Sequence, residues 1–162
     1  MKSRLRLISS AGFLLCVLVG SSVVAGTALA DAASNGLVSI KSPYPVAQTI
    51  ERFQQTARDK GLKIFDTVDH AQGADSAGLD LRPTTVVIFG NPKAGTPFMQ
   101  CAQTIGIDLP MKMLVWQDAE NQTWIAYNDP AWIAKRHGAL KCPAIAPITK
   151  ALSTLAARTV AK

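Results

Sequence analysis

The chain has 162 residues, of which 48% are apolar and 17% are charged, with 17 Lys and Arg against 11 Asp and Glu. That length supports one domain rather than two full ones, and the apolar content excludes a chain that is disordered throughout. The basic residues are scattered and form no run interleaved with aromatic residues, so the pattern gives no support for nucleic-acid binding.

The segment 1–30 has the three parts of a secretory signal peptide. Basic residues at positions 2, 4 and 6 precede an apolar run at 13–19, and Ala28 and Ala30 form an A-x-A cleavage pattern. We expect cleavage after Ala30, which removes three basic side chains and leaves the segment 31–162 with 14 basic and 11 acidic ones, a net charge of +3. The predicted location is periplasmic or secreted. An uncleaved anchor is the alternative, but the apolar run is short for a span of about 20 residues, and we expect no stable membrane span after cleavage.

The first half of the exported part alternates strand and helix. Residues 37–41 predict a strand, and a helix with apolar residues at helical spacing follows Pro45 and ends at Gly61. Residues 62–68 predict a second strand, and residues 71–80, rich in Ala, Gly and Asp, a loop. Residues 84–89 are β-branched and apolar, which predicts a central strand buried on both faces.

The remaining elements begin with a turn at 90–95 and a short helix that opens at Thr96–Pro97 and closes at Gly106. Residues 111–117 and 122–127 predict two strands joined by a polar turn, which would place Trp116 opposite Trp124. A further helix follows an Asp-Pro cap at 129–130 and stops at Gly138, and apolar spacing over 145–159 predicts a final helix.

Taken in order, these elements run strand, helix, four strands with a short helix inserted, then helix. That order predicts an α+β fold in which one mainly antiparallel sheet carries helices on one face. No internal repeat or linker divides the exported part, so residues 31–162 are predicted to form a single domain.

Cys101 and Cys142 remain after the signal peptide is removed, in a compartment that permits disulfides. A bridge between them would close a loop of about 40 residues and stabilise the fold by about 4 kcal/mol on the chain-entropy account. Two separate buried thiols are the alternative.

Few residues offer recognisable chemistry. The loop 90–96 has the glycine spacing of a phosphate loop, but Thr96 stands where the required Lys should follow the second Gly, so only a modest anion site helped by Lys93 remains open. His70 follows Asp69 and His137 ends a helix; either could act in acid–base chemistry, and either could be a surface residue. The His and Cys spacing predicts no metal site and no cofactor.

Short motifs follow one another in one continuous order along the chain. They are Asp69-His70-Ala71, Leu81-Arg82-Pro83-Thr84, Phe89-Gly90-Asn91-Pro92, Gly95-Thr96-Pro97, Asp108-Leu109-Pro110-Met111-Lys112 and Tyr127-Asn128-Asp129-Pro130. This series resembles the bacterial family called domain of unknown function 302, most strongly over residues 67–129 and more weakly from residue 37 to the last helix. The resemblance implies a strand-helix-four-strand-helix fold of the TATA-binding-protein-like or helix-grip type and a tendency to form homodimers, and it carries no established activity.

The resulting hypothesis is an exported, non-enzymatic module that binds a small ligand or a partner and acts as a homodimer. A helix gripped by a curved sheet often leaves an apolar pocket, and polar residues near strand ends could orient a ligand there. The candidates are His70, Arg82, Asn91 and Lys112. The alternatives are a small enzyme that uses His70 or His137, and a redox protein that uses Cys101 and Cys142.

Overall fold

The computed structural model describes residues 35–162, so the expected signal peptide lies outside the described part. Eleven elements follow one another along this part of the chain. They are β1 (Leu37–Ser42), α1 (Val46–Asp59), β2 (Lys63–Asp69), α2 (His70–Ser76), β3 (Thr84–Gly90), α3 (Pro92–Cys101), a 3₁₀ helix (Gln103–Ile107), β4 (Met111–Gln117), β5 (Thr123–Asn128), α4 (Pro130–Arg136) and α5 (Ile145–Val160).

The five strands form one sheet in the order β1-β5-β4-β3-β2, and every neighbouring pair is antiparallel. The predicted α+β class and antiparallel sheet are therefore confirmed. The register places Trp116 opposite Trp124, as predicted, and their rings stack with centroids 6.1 Å apart. Aromatic cross-strand pairs of this kind stabilise a hairpin.

The core lies between the sheet and the helices α1 and α5. Alternate residues of β3 and β4 point to this side, so Val87, Met113 and Val115 are fully buried, together with Phe53 and Ala57 of α1. The prediction that β3 is buried on both faces was too strong, because its other face is only half-buried. A strand covered by helices on one side alternates in burial even when its sequence is continuously apolar.

Two helices end at glycines, as the sequence predicted. Gly61 and Gly138 have φ values of 70° and 67°, in the left-handed region that glycine adopts without strain. After each glycine the chain bonds back to the helix, from Leu62 N to Ala57 O at 3.0 Å and from Ala139 N to Ala134 O at 2.7 Å. This is the Schellman arrangement, which satisfies carbonyls at the helix end.

Two local predictions were wrong. Residues 70–76 form a helix rather than part of a loop, because the Asp69 side chain accepts a hydrogen bond from Gln72 N and so caps it. The helix α3 begins at Pro92 and ends at Cys101, rather than running from Thr96 to Gly106. Two cap-and-proline pairs compete there, and the earlier one, Asn91-Pro92, starts the helix and leaves Pro97 inside it.

A disulfide joins Cys101 to Cys142, with the two Cα atoms 5.7 Å apart. It connects the last residue of α3 to the segment that leads into α5, 41 residues along the chain. Of the two alternatives for these cysteines, a disulfide or two separate buried thiols, the structure therefore has the disulfide.

Among the helices within residues 35–162, none combines the length and the apolar character needed to cross a membrane.

Candidate functional site

A cavity of about 630 Å³ lies between one end of the sheet and the helices α3 and α5. Phe89 of β3 and Met111 of β4 form its floor, Met99 of α3 one wall, and Ile148 and Leu152 of α5 another. The volume lies within the range of about 300–1,000 Å³ that small-molecule sites occupy.

The cavity is apolar except along one edge. Among the described residues that line it, the polar side chains belong to Asn91, Lys93 and Thr96, which are the cap and the first turns of α3. No Asp, Glu, His or Arg occurs among these described lining residues. The polar groups are therefore gathered at one end of an otherwise hydrocarbon surface.

The local sequence explains why α3 leaves space above the sheet. Gly95 lies in the lining with Ala94, and a Cβ added at Gly95 would meet Leu109 Cδ1 at 3.6 Å. On the opposite wall Ala144 and Ala151 also present small side chains. Small residues that face one another across a gap leave part of it unfilled, whereas a filled core interdigitates larger ones.

Asn91 fixes the position of the polar edge. Its Oδ1 accepts a hydrogen bond from Lys93 N at 2.9 Å, and its Nδ2 donates to Gly61 O at 3.3 Å. The backbone N–H groups of Ala94 and Gly95 both bond to Asn91 O at 3.0 Å. Because Pro92 has no N–H and the next three N–H groups are bonded to Asn91, residues 92–95 leave no backbone donor to cradle a phosphate. This explains why the phosphate-loop spacing has no counterpart in the geometry.

The four predicted ligand residues do not come together. Only Asn91 lines the cavity. Lys112 Nζ donates to Asp108 O at 3.1 Å and to Pro110 O at 3.0 Å. His70 is the exposed first residue of α2, where its neighbour Asp69 is occupied as the helix cap.

Arg82, the remaining candidate, is exposed before β3. The sequence would allow an ion pair from Arg82 to Asp80 or to Asp129. Within residues 35–162 the structure forms neither pair.

His137 lies in a second polar cluster. Its Nε2 is 2.7 Å from Asp108 Oδ2 and its Nδ1 is 2.9 Å from Thr104 Oγ1, while Arg136 donates to the other oxygen of Asp108 at 2.9 Å. The side chains of His137 and Asp108 are 9% and 10% exposed. This cluster fastens the 3₁₀ helix to the end of α4, and both ring nitrogens of His137 are engaged within it.

Sequence reasoning named His137 but missed Asp108 and Thr104 as its partners. They lie 29 and 33 residues earlier, in a segment without helical or strand periodicity, so no spacing rule connects them. Within the described chain, no three His, Cys, Asp or Glu side chains gather as metal ligands would.

The disulfide stands beside the cavity. Met99, two residues before Cys101, and Ala144, two residues after Cys142, both line it. Cys101 is exposed, whereas Cys142 is buried. The bridge therefore holds the α3 wall at a fixed distance from the α5 wall.

Comparison with known families assigns the chain. Residues 38–155 match the family described as "Domain of unknown function DUF302". The chain belongs to the DUF302 family. The match includes nearly the whole sheet and every described residue that lines the cavity, and it confirms the resemblance seen in the sequence motifs.

Curated relatives share this region at higher identity. A protein of Brucella suis biovar 1 named fluoride-specific ion channel FluC 1 is 48% identical over 109 residues, which are 67% of this chain and 43% of that protein. The Brucella abortus protein of the same name is also 48% identical over 109 residues, 40% of its length. The chain thus spans about two fifths of the curated relatives it matches.

A solved structure has the same fold. The crystal structure of an uncharacterized conserved DUF302 protein from Bacillus stearothermophilus superposes with a TM-score of 0.69 and 22% sequence identity. The superposition covers 76% of this chain and 98% of that one. This similarity supports the fold, and the function has to be argued from the site.

Proposed function

We propose that this DUF302 chain is an exported, non-enzymatic binding module that holds a small, largely apolar molecule in the cavity between α3 and α5 and works as a homodimer. The observation that carries the proposal is the cavity itself, about 630 Å³ and lined almost entirely by apolar side chains. A ligand that covers those side chains gains about 25 cal/mol for each Å² of apolar surface removed from water.

The cavity is tested with an apolar fluorescent probe and two matched substitutions on α5. Ala151 and Ala157 are both exposed residues of α5, but Ala151 lines the cavity and Ala157 does not. N-phenyl-1-naphthylamine should brighten on binding to the wild-type protein and to Ala157→Trp. Binding to Ala151→Trp should fall at least tenfold, because the indole occupies the space. Equal binding by the two variants, or no binding by the wild type, would reject the proposal.

The homodimer has support from the other face of the sheet. The face of β3 and β4 that points away from α1 and α5 carries four apolar side chains that are only half-buried: Val86, Ile88, Leu114 and Trp116. A contiguous apolar patch of this kind marks a contact surface. Sedimentation should find a dimer at micromolar concentration and a monomer after Leu114→Lys. A wild-type monomer under the same conditions would reject this part of the proposal.

Export rests on the signal-peptide pattern of residues 1–30. The periplasmic or secreted protein should have the mass of the segment 31–162, as expected for cleavage after Ala30. A full-length mass in that compartment, or accumulation in the cytoplasm, would contradict it.

The names of the Brucella relatives raise the question whether this chain conducts fluoride. We assign no channel activity to this chain, because the match covers at most 43% of those proteins. A fluoride-efflux assay on liposomes that contain this chain alone should show no flux above empty vesicles, and fluoride-selective flux would overturn this assignment.

A second candidate function is acid–base catalysis at His137. The observation that favours it is the contact of His137 with both Asp108 and the Thr104 hydroxyl, the geometry in which a carboxylate orients an imidazole that activates a hydroxyl. Hydrolysis of p-nitrophenyl acetate that is lost in both His137→Gln and Thr104→Val would support this candidate. Hydrolysis no faster than the buffer rate would reject it.

A further inference from the structure

We infer that the ligand of the cavity is a single-chain anionic amphiphile of the fatty-acid class, with its chain between α3 and α5 and its carboxylate at Lys93. The inference rests on the proposed function and adds the chemical class of the ligand. Its basis is the separation of polar and apolar surface. The floor and the α5 wall offer a ligand only apolar side chains, and every polar side chain of the described lining lies at the start of α3.

The charge at the polar edge favours an anion. Among the described residues of the lining, Lys93 is the charged one, and none supplies a carboxylate to attract a cation. Within residues 35–162 Lys93 forms no ion pair, so its ammonium is available to a ligand. It also stands in the first turn of α3, where the helix dipole adds positive potential.

The engaged backbone limits the size of the head group. The N–H groups of Lys93, Ala94 and Gly95 are all bonded to Asn91, so a phosphate cannot be held by the backbone. The available groups are the Lys93 ammonium and the Thr96 hydroxyl, both exposed. One cation and one hydroxyl match a carboxylate in number, whereas a diphosphate would leave several acceptors without a protein partner.

The apolar part predicts how affinity depends on chain length. Burial of one methylene contributes about 0.8 kcal/mol, so each added methylene should tighten binding by about fourfold until the chain fills the cavity. A ligand held at an exposed cation by its head group alone would show no such increments.

The test compares decanoate with decanol, which share a ten-carbon chain and differ in charge. Isothermal titration uses the wild-type protein, Lys93→Gln, and Lys150→Gln as a control at an exposed lysine of α5 outside the lining. Decanoate should bind more tightly than decanol. Lys93→Gln should weaken decanoate by about threefold, the effect of one exposed ion pair, and leave decanol unchanged. Lys150→Gln should change neither.

The failures of the two proposals are distinguishable. Equal binding of decanoate and decanol, unaffected by Lys93→Gln but lost in Ala151→Trp, would overturn the anionic class and leave the cavity as a binding site. Tighter binding of decanylammonium than of decanoate would also overturn the anionic class and leave the cavity as a binding site. If none of these molecules binds and N-phenyl-1-naphthylamine does not bind either, the proposed function itself fails.

Discussion

The two sides of the helical layer differ in how closely they meet the sheet. Under α1, Phe53 packs edge-on against Phe89 with ring centroids 4.9 Å apart, and Ala57 and Met113 are fully buried. Under α3, the same sheet borders a cavity of about 630 Å³. We call these the filled region and the cavity region. Phe89 belongs to both, since it contacts Phe53 and also lines the cavity.

This difference indicates how the fold keeps an opening in a small core. Large side chains from α1 reach the sheet and close the filled region, whereas small residues such as Gly95 and Ala151 stand among the larger ones that α3 and α5 present to the cavity. Apolar side chains that border such an opening have fewer van der Waals contacts than side chains in a packed core, which costs stability. The disulfide offsets part of that cost, because it joins the end of α3 to the segment that leads into α5.

The largest expected effect comes from removing the bridge of the cavity region. Replacing both Cys101 and Cys142 by Ala should lower the free energy of unfolding by about 4 kcal/mol, the chain-entropy value for a loop of this length. Urea unfolding of the variant and of the oxidised wild type measures it. Equal midpoints would show that the disulfide does not hold the two walls together.

Two methionines compare the regions directly. Met113 is fully buried in the filled region, and Met99 is half-buried at the cavity. Met113→Ala should cost about 2–4 kcal/mol, because the lost side chain leaves a void in a packed core. Met99→Ala should cost less than about 1 kcal/mol, since it only enlarges an existing space. Equal losses in denaturant unfolding would mean that the cavity region is packed as tightly as the filled one.

A smaller effect is expected at the polar edge of the cavity region. Asn91→Ala removes the cap of α3 and the bond to Gly61 O, and should cost about 1–2 kcal/mol. Arg82→Ala is the matched control, and because Arg82 is exposed it should stay within about 0.5 kcal/mol of the wild type. A loss at Arg82 as large as that at Asn91 would indicate a contact outside this chain, such as one across the proposed dimer.

The smallest effect concerns the turn between β4 and β5, which lies outside both regions. Trp124 Nε1 donates a hydrogen bond to Asp118 Oδ2 at 2.6 Å. This bond lowers the pKa of the Asp118 carboxyl below its ordinary value of 3.8, and hydrogen bonds from the N–H groups of Gln122 and Glu120 act in the same direction. Because the folded pKa is lowered, Asp118 stabilises the fold at pH values above 3.8 and loses this contribution as the pH falls through the folded pKa.

Unfolding of the wild type and of Asp118→Asn across pH 2–7 checks this sign. The stability difference between the two proteins should shrink as the solution becomes acidic. A difference that is independent of pH would show that Asp118 acts through its shape rather than its charge.

Much of the fold could be predicted because it follows local rules. The strand bounds, the Trp116–Trp124 pairing and the glycine helix ends depend on alternation, turn length and left-handed φ, all of which are visible in the sequence. The start of α3 could not be resolved, since Asn91-Pro92 and Thr96-Pro97 are equivalent signals. Tertiary geometry decides between them, through the bond from Asn91 to Gly61 O.

The site was less predictable for a related reason. The cavity is lined by residues from β3, α3, β4 and α5. In the sequence, the apolar residues among them cannot be distinguished from ordinary core residues. Of the candidates at strand ends, Asn91 alone lines the cavity. His70 and Arg82 lie at the opposite end of the antiparallel β2–β3 pair. Lys112 lies at the same end as Asn91, but it follows the lining residue Met111 on β4, so its side chain points to the other face of the sheet. The partners of His137 depend on an approach of segments 29 and 33 residues apart, which no short-range pattern reports.

Nuclear Overhauser effects between decanoate and the methyl groups of the protein test the central claim most directly. The account predicts contacts from the ligand chain to Ile148, Leu152 and Met99 in the cavity region, and none to Ile125 or Ile133, which are buried elsewhere. Contacts confined to Leu114 or Val86 on the other face of the sheet, with none to Ile148 or Leu152, would contradict the claim that the cavity is the binding site.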